Sequence, residues 1–212
     1  MLTPDLLGEA AATGTASLHE AAGRIGALPS AIKPLSPAMR VVGRAYPVRS
    51  PGGDNLWLHR AICAAAAGDV LVVATGGATE FGYWGEVMTR AAQQRQLGGL
   101  VIEGGVRDAA ALIEAGFPVF AAAVCIRGTV KDPQGDGALG EPATIGGVTV
   151  RAGDLVMGDA DGVCVVPAAG AGAAVRSAHD RDRAEQDIFA RLARGETTID
   201  IYKLPRQPGA AS

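Results

Sequence analysis

A chain of 212 residues can form one domain with a full core; 48% of it is hydrophobic but only 4% aromatic, so Ala, Val, Leu and Ile must build that core. A formal charge of −3 without a long single-sign block argues against nucleic acid or an acidic membrane as partner. The apolar runs stay short of the roughly 18 residues of a membrane span, and MLTPDLLGEA has no basic segment before an apolar one, so a soluble cytoplasmic protein is expected.

Residues 1–27 read as a helical arm, with Ser17 placed to cap LHEAAGRIG. The proline-rich LPSAIKPLSP (28–37) is a connector, and MRVVGRAYPV (39–48) is a strand by its β-branched content. SPGGDN (50–55) turns the chain, and Asp54 is placed to cap a helix over 56–67. AGDVLVVATGG (67–77) is a turn, a buried strand and a glycine-rich exit. WGEVMTRAAQQRQLGG (84–99) is a helix closed by Gly98 or Gly99. GLVIEGG (99–105) is the next strand, and DAAALIEAG (108–116) a helix capped by Asp108 and stopped by Gly116.

FPVFAAAVCI (117–126) is another strand, and after Pro133 the chain becomes β-rich through ATIGGVTV, DLVMGD and GVCVVP. A helix over about 169–194 follows, its charged stretch RSAHDRDRAEQD mixing both signs as a solvated face does. AGDVLVV and AGDLVMG resemble each other as turn-plus-strand units rather than as a repeat. Strands alternating with helices, then a β-rich third quarter, give a single α/β domain with a mixed or mainly parallel sheet. Cys63, Cys125 and Cys164 stand apart without a CxxC pair and read as small buried thiols.

Chemistry concentrates at two strand-to-helix junctions. TGGATEFGYWGEVM (75–88) puts Glu86 and the amides of Val87 and Met88 in a helix's first turn; EGGVRDAA (103–110) puts Arg107 and Asp108 at the start of the next. If the preceding strands are neighbours, two carboxylates, a guanidinium fork and free amides converge in one crevice beyond the strand ends. Residue types alone leave a plainer option open: a capping Asp, a Glu favouring the helix dipole, and an Arg–Asp surface pair. Lys131 reads as a solvated turn lysine and His59 as a packed helix residue; the GG pairs lack dinucleotide or P-loop spacing.

The run WGEVMTRAAQQRQLGGLVIEGGVRD, an acidic residue and then Arg-Asp after twenty positions, resembles the family uniting class II 4-hydroxy-4-methyl-2-oxoglutarate / 4-carboxy-4-hydroxy-2-oxoadipate aldolases with the RraA regulators of ribonuclease E. GDNLWLHRAI, AAGDVLVVATGG, GFPVFAAAV, RGTVKDPQGDG and GGVTVRAGDLVMGDADGVCVVP extend the likeness over about residues 40–168. The resemblance implies a compact α/β sandwich with central β-structure, of the swivelling β/β/α type, assembled as a homotrimeric ring or a homohexamer of two rings. It implies Asp108 as direct ligand of Mg²⁺ or Mn²⁺, Glu86 on that metal's water, and Arg107 on the 2-oxo acid substrate and its enolate. It further implies main-chain contacts to the substrate carboxylate from the Gly85-Val87-Met88 turn, and a glutamate from a neighbouring subunit, here Glu185. Retro-aldol cleavage to pyruvate and oxaloacetate decarboxylation are the activities implied, with ribonuclease E regulation as the alternative. The chain departs from the pattern at Ala111, where an acidic residue is common, at Glu86 and Glu103, where Asp is frequent, and in the loop TGGATEF.

Overall fold

Strand residues here are apolar on both sides, and each side enters a different core. The computed structural model describes residues 2–206. In chain order the elements are α1 (Pro4–Ala11), α2 (Thr15–Ala21), β1 (Lys33–Pro34), β2 (Val41–Arg49), α3 (Leu56–Ala64), β3 (Asp69–Ala74), β4 (Gly82–Trp84), α4 (Glu86–Gln94), β5 (Gly99–Val106) and α5 (Ala109–Glu114). Then come β6 (Val119–Val124), β7 (Ala138–Leu139), β8 (Ala143–Ile145), β9 (Val148–Val150), β10 (Leu155–Asp159), β11 (Gly162–Val166), α6 (Ala168–Ala193) and α7 (Thr198–Ile201).

The main sheet runs β1-β6-β5-β3-β2-β10-β11. Its centre, β6-β5-β3-β2, is parallel, as the crossover helices α3, α4 and α5 require. β10 and β11 add antiparallel on one side and β1 on the other. The two edges then approach each other. Ala27 bridges Cys164, Leu28 N–H donates to the Val163 carbonyl at 2.9 Å, and Val165 N–H donates to the Gly26 carbonyl at 2.8 Å. Gly26 is required at this seam: φ is +78°, and a Cβ would lie 1.8 Å from the Val165 oxygen. The result is a nearly closed β-structure with few exposed edges.

Period-two alternation fills three cores. Val70, Val72, Val101, Phe120, Val156, Val163 and Val165 point to the interior of the curved sheet, joined by Ile145 and Val150 of the β8–β9 hairpin. Leu71, Val73, Leu100, Ile102 and Val119 face outward under α3, α4 and α5. Leu155, Met157, Cys164 and Val166 face outward under α1, α2 and α6.

Several boundaries differ from the sequence reading. The first 27 residues hold two helices packed on the body rather than one arm, and Ser17 lies inside α2, its hydroxyl donating to Asp182 of α6. α3 stops at Ala64, and α4 begins only at Glu86 because Trp84 pairs in β4. Gln96, at φ +57°, takes the left-handed position expected of Gly98 or Gly99. Gly99 is instead needed inside β5, where a Cβ would stand 2.8 Å from Val41 Cγ2. Cys63 is exposed and Cys125 half-buried; only Cys164 is the buried thiol expected of all three. The AGD likeness is a shared turn: Asp69 and Asp154 each accept the N–H three residues back, of Ala66 and Arg151.

Candidate active site

The condition for convergence is met, since β3 and β5 are adjacent and parallel and β4 extends the same edge of β5. Trp84 anchors the junction: it is fully buried, its Nε1–H donates to Thr89 Oγ1 at 2.7 Å, and its carbonyl accepts Arg107 N–H at 2.8 Å. Glu103 ties the two strand exits together, its Oε2 accepting Thr75 N–H at 2.9 Å. That carboxylate is structural.

Asp108 does not cap its own helix, as the sequence suggested. Its backbone is left-handed, at φ +58° and ψ +34°, and its Oδ2 accepts the Glu86 N–H at 3.0 Å. It thus caps α4 from across the crevice and holds the two junctions together. Gly85 makes this approach feasible, because a Cβ there would sit 2.4 Å from Asp108 Oδ2. With the Glu86 N–H taken, the Val87 and Met88 N–H groups of the first turn have no partner among the described residues.

Arg107, Asp108, Gly85, Val87 and Met88 all line one cleft of about 270 Å³. Arg107 Nε lies 3.9 Å from Asp108 Oδ2, too far for a hydrogen bond, and both side chains are about half exposed. The guanidinium fork is therefore free to face a ligand. Glu86 is placed differently: its Oε1 accepts from Nε and Nη2 of Arg90 at 2.8 and 2.7 Å, and it is not part of the cleft wall. Glu185 is on α6, 3.2 Å from Arg181, and α6 packs against α1, α2 and β11 away from this junction. Within one chain Glu185 does not join the site. A hollow of similar size between α2 and β11 has mainly apolar walls and no guanidinium.

Sequence reading missed the other wall. Asn55, His59, Tyr83 and Lys131 line the same cleft. Asn55 and Lys131 meet because Asn55 N–H donates to the Val130 carbonyl at 3.1 Å and Asp54 Oδ2 accepts Asp132 N–H at 2.6 Å. Burial, reinforced by the Lys131 charge, holds the His59 imidazole below its ordinary range, and burial pushes the Tyr83 phenol up. The one local signal was the DN pair before a helix.

Among the described residues, no three His, Cys, Asp or Glu side chains in one chain form a metal cluster. Asp108 keeps Oδ1 uncommitted while Oδ2 caps α4. One carboxylate oxygen with room for water suits Mg²⁺ or Mn²⁺, which retain several waters, and does not suit the closed nitrogen–sulfur set of structural zinc.

A protein of Halalkalibacterium halodurans, provisionally named a 4-hydroxy-4-methyl-2-oxoglutarate aldolase, is 38% identical over 140 residues, 66% of this chain and 66% of that one. The match thus spans just under two thirds of that relative. The crystal structure of an uncharacterized protein from Pseudomonas syringae pv. tomato superposes with a TM-score of 0.83, at 30% identity, over 93% of both chains. Streptomyces coelicolor RraAS2, described as an unusual member of the RNase ES inhibitor RraA protein family, gives a TM-score of 0.75 at 28% identity over 91% of this chain and 100% of that one. Residues 8–165 match the RraA-like family described as Aldolase/RraA, and the chain belongs to that family.

Proposed function

We propose that this protein is a divalent-metal-dependent lyase that cleaves 4-hydroxy-2-oxo diacids to pyruvate and decarboxylates oxaloacetate through the same enolate. The observation that carries the reading is the convergence of the free Arg107 fork, the Asp108 carboxylate and the Val87 and Met88 amides on one cleft. The amides bind the substrate's C1 carboxylate. Arg107 holds the 2-oxo oxygen and stabilises charge as it gathers there. The C3–C4 bond breaks, its electron pair forms the enolate, the 4-hydroxyl loses its proton as C4 becomes a carbonyl, and C3 takes a proton to become pyruvate's methyl. In oxaloacetate the departing group is CO₂ and no hydroxyl proton is involved. Asp108 would hold a Mg²⁺ or Mn²⁺ ion, which would supply Lewis acidity for the enolate chemistry, and Glu86 would turn toward that ion's hydration only by releasing Arg90.

Assembly into a homotrimer or homohexamer is part of this proposal, since only another copy can bring Glu185 to the cleft. The test is lactate-dehydrogenase-coupled pyruvate release from 4-hydroxy-4-methyl-2-oxoglutarate and from oxaloacetate, before and after exhaustive chelation. Activity returning only with Mg²⁺ or Mn²⁺, and lost in Asp108→Ala, is expected; full activity without metal overturns the mechanism. The likeness to RraAS2 along that protein's whole length favours a second reading, regulation of ribonuclease E. Inactivity on both substrates, together with inhibition of ribonuclease E, would establish it.

A further inference from the structure

We propose that the hollow between α2 and the start of β11 is a binding site for a small primary ammonium with a short apolar body. It lies at the end of the sheet where the parallel strands begin, since Gly158 of β10 pairs with Val41 of β2 and β11 turns back from there. The cleft lies where those strands end, so the hollow is independent of the lyase reading. Its space measures about 280 Å³, and Ala27, Leu28, Val163 and Cys164 give it an apolar wall. An apolar cavity of about 150 Å³ holds a benzene ring, so this one has room for a ring and a one-carbon arm.

The polar groups that line it are short of donors. Thr15 is 5% exposed, and its Oγ1 is buried with no hydrogen-bond partner among the described residues. Its N–H donates to Asp159 Oδ2 at 2.9 Å. Burial raises the Asp159 carboxyl, yet the N–H groups of Thr15 and Asp161 and the nearby Thr15 hydroxyl hold it below its ordinary range. The hydroxyl proton thus leans toward Asp159 without reaching hydrogen-bond geometry, and the lone pairs of Oγ1 lack a donor. A buried acceptor left unpaired is costly, and one lining a ligand-sized hollow is explained by a donor that arrives with the ligand. His19 stands one turn further along α2, on the same face. Its Nδ1 lies 3.1 Å from the Ile25 carbonyl, which can only accept, so Nδ1 carries the proton and Nε2 of the neutral ring is a second acceptor. Asp161 at the rim is the third: its carboxylate makes no hydrogen bond or ion pair among the described residues. Three acceptors beside an apolar wall match one group with three N–H donors and a positive charge. The cations close by are engaged elsewhere and do not line the hollow. Lys33 Nζ donates to the Asp161 main-chain carbonyl at 2.6 Å, and Arg40 Nη2 to the Thr13 carbonyl at 2.8 Å.

The test is calorimetry at about pH 8 with benzylammonium, benzyl alcohol and benzoate, beside thermal melting of the unliganded protein. Wild type should bind benzylammonium saturably, about tenfold more tightly than benzyl alcohol, and should not bind benzoate. Thr15→Val keeps the side chain's shape and removes the unmet hydroxyl. It should raise the melting temperature by about 2 °C while weakening benzylammonium about fivefold or more. Thr15→Ser should bind benzylammonium within about twofold of wild type. Asp161→Asn, at the exposed rim, should weaken benzylammonium about fivefold and leave benzyl alcohol unchanged. A wild type that does not bind benzylammonium, or binds benzoate equally well, overturns the site. So does a Thr15→Val variant that melts below wild type, because the hydroxyl would then serve only to hold α2 to Asp159.

Discussion

Replacing Gly85 by alanine inserts a methyl group into the contact that joins the two junctions. The backbone tolerates it, since φ −153° and ψ −168° are extended values open to any residue. The side-chain space does not: the new Cβ would stand 2.4 Å from Asp108 Oδ2, 3.2 Å from Arg107 Cγ and 3.3 Å from Arg107 Nε. Asp108 must swing away, and the Glu86 N–H loses its acceptor. Loss of a helix N-cap costs about 0.5–2 kcal/mol, and the half-exposed setting of Asp108 puts this one at about 1 kcal/mol. For a domain of this size that is a melting-point drop of roughly 2–4 °C. Activity should fall far more, by about 100-fold, because the carboxylate and the guanidinium shift together. The double-mutant cycle with Asp108→Ala isolates the cause. Once the carboxylate is gone the methyl group meets little, so the two substitutions should be non-additive by about 1 kcal/mol in urea unfolding. Additive unfolding energies, or a Gly85→Ala variant within twofold of wild-type pyruvate release, would refute this account of the junction.

Thiol labelling should distinguish the cysteines: Cys63 is exposed and should react promptly with a disulfide reagent at pH 8. Cys164, whose thiol burial pushes up to about 12, should react only on unfolding. His59 has a folded-state pKa below its ordinary 6.5, so the unfolded chain takes up its proton first, and stability present above that value is lost as pH falls through it. His59→Gln should therefore lose less of its urea midpoint than wild type between pH 7.5 and 5.5, and equal losses would remove His59 from the acid response. Light scattering should show an assembly larger than one chain, since α6 is buried only as far as Ala178 and leaves Phe189 and Leu192 exposed, with Ile199 and Tyr202 beyond it. Phe189→Ser combined with Tyr202→Ser should shift it toward monomer, whereas a monomeric wild type would exclude Glu185 from any site.

Period and punctuation carried most of the fold into the sequence. β3, β5 and β10 were evident because short apolar runs ended at or beside glycine, β11 because its run stops at Pro167, and α6 because beyond Gly172 a long segment of small and charged residues met no glycine or proline before Gly195. What escaped depended on contacts distant in sequence. Trp84 reads as the start of a helix until β4 pairs with β5, and Asp108 reads as a cap for α5 until α4 arrives beside it. Arg107 and Asp108 stood out as paired charges at a strand exit. Lys131 did not, because it reaches the cleft only through the clamp that Asp54 and Asn55 place on a segment more than seventy residues away. The near closure of the sheet was equally hidden, resting on Gly26 and Ala27 at the end of what reads as a helical arm and on Leu28 at the start of the connector.

On the proposed reading Asp108 has two roles for its two oxygens, and this division makes its substitutions separable. Oδ2 caps α4, which leaves Oδ1 for the proposed metal. Asparagine can keep the capping role, because an amide oxygen still accepts the Glu86 N–H and Asn tolerates the left-handed φ of +58°. It cannot keep the proposed metal-binding role, because an amide group replaces the second carboxylate oxygen and the charge is lost. Glutamate keeps the charge but fails at both positions. Its extra methylene carries the carboxylate about 1.5 Å outward, and its backbone is poorly suited to φ +58°. Asp108→Asn should thus unfold within about 0.5 kcal/mol of wild type, yet show no Mg²⁺-dependent rise in pyruvate release up to concentrations that saturate the wild type. Asp108→Glu should lose both stability, by about 1 kcal/mol or more, and most of the activity. A normal Mg²⁺ response in the asparagine variant would mean that the metal sits elsewhere and that Asp108 serves only to hold α4 in place.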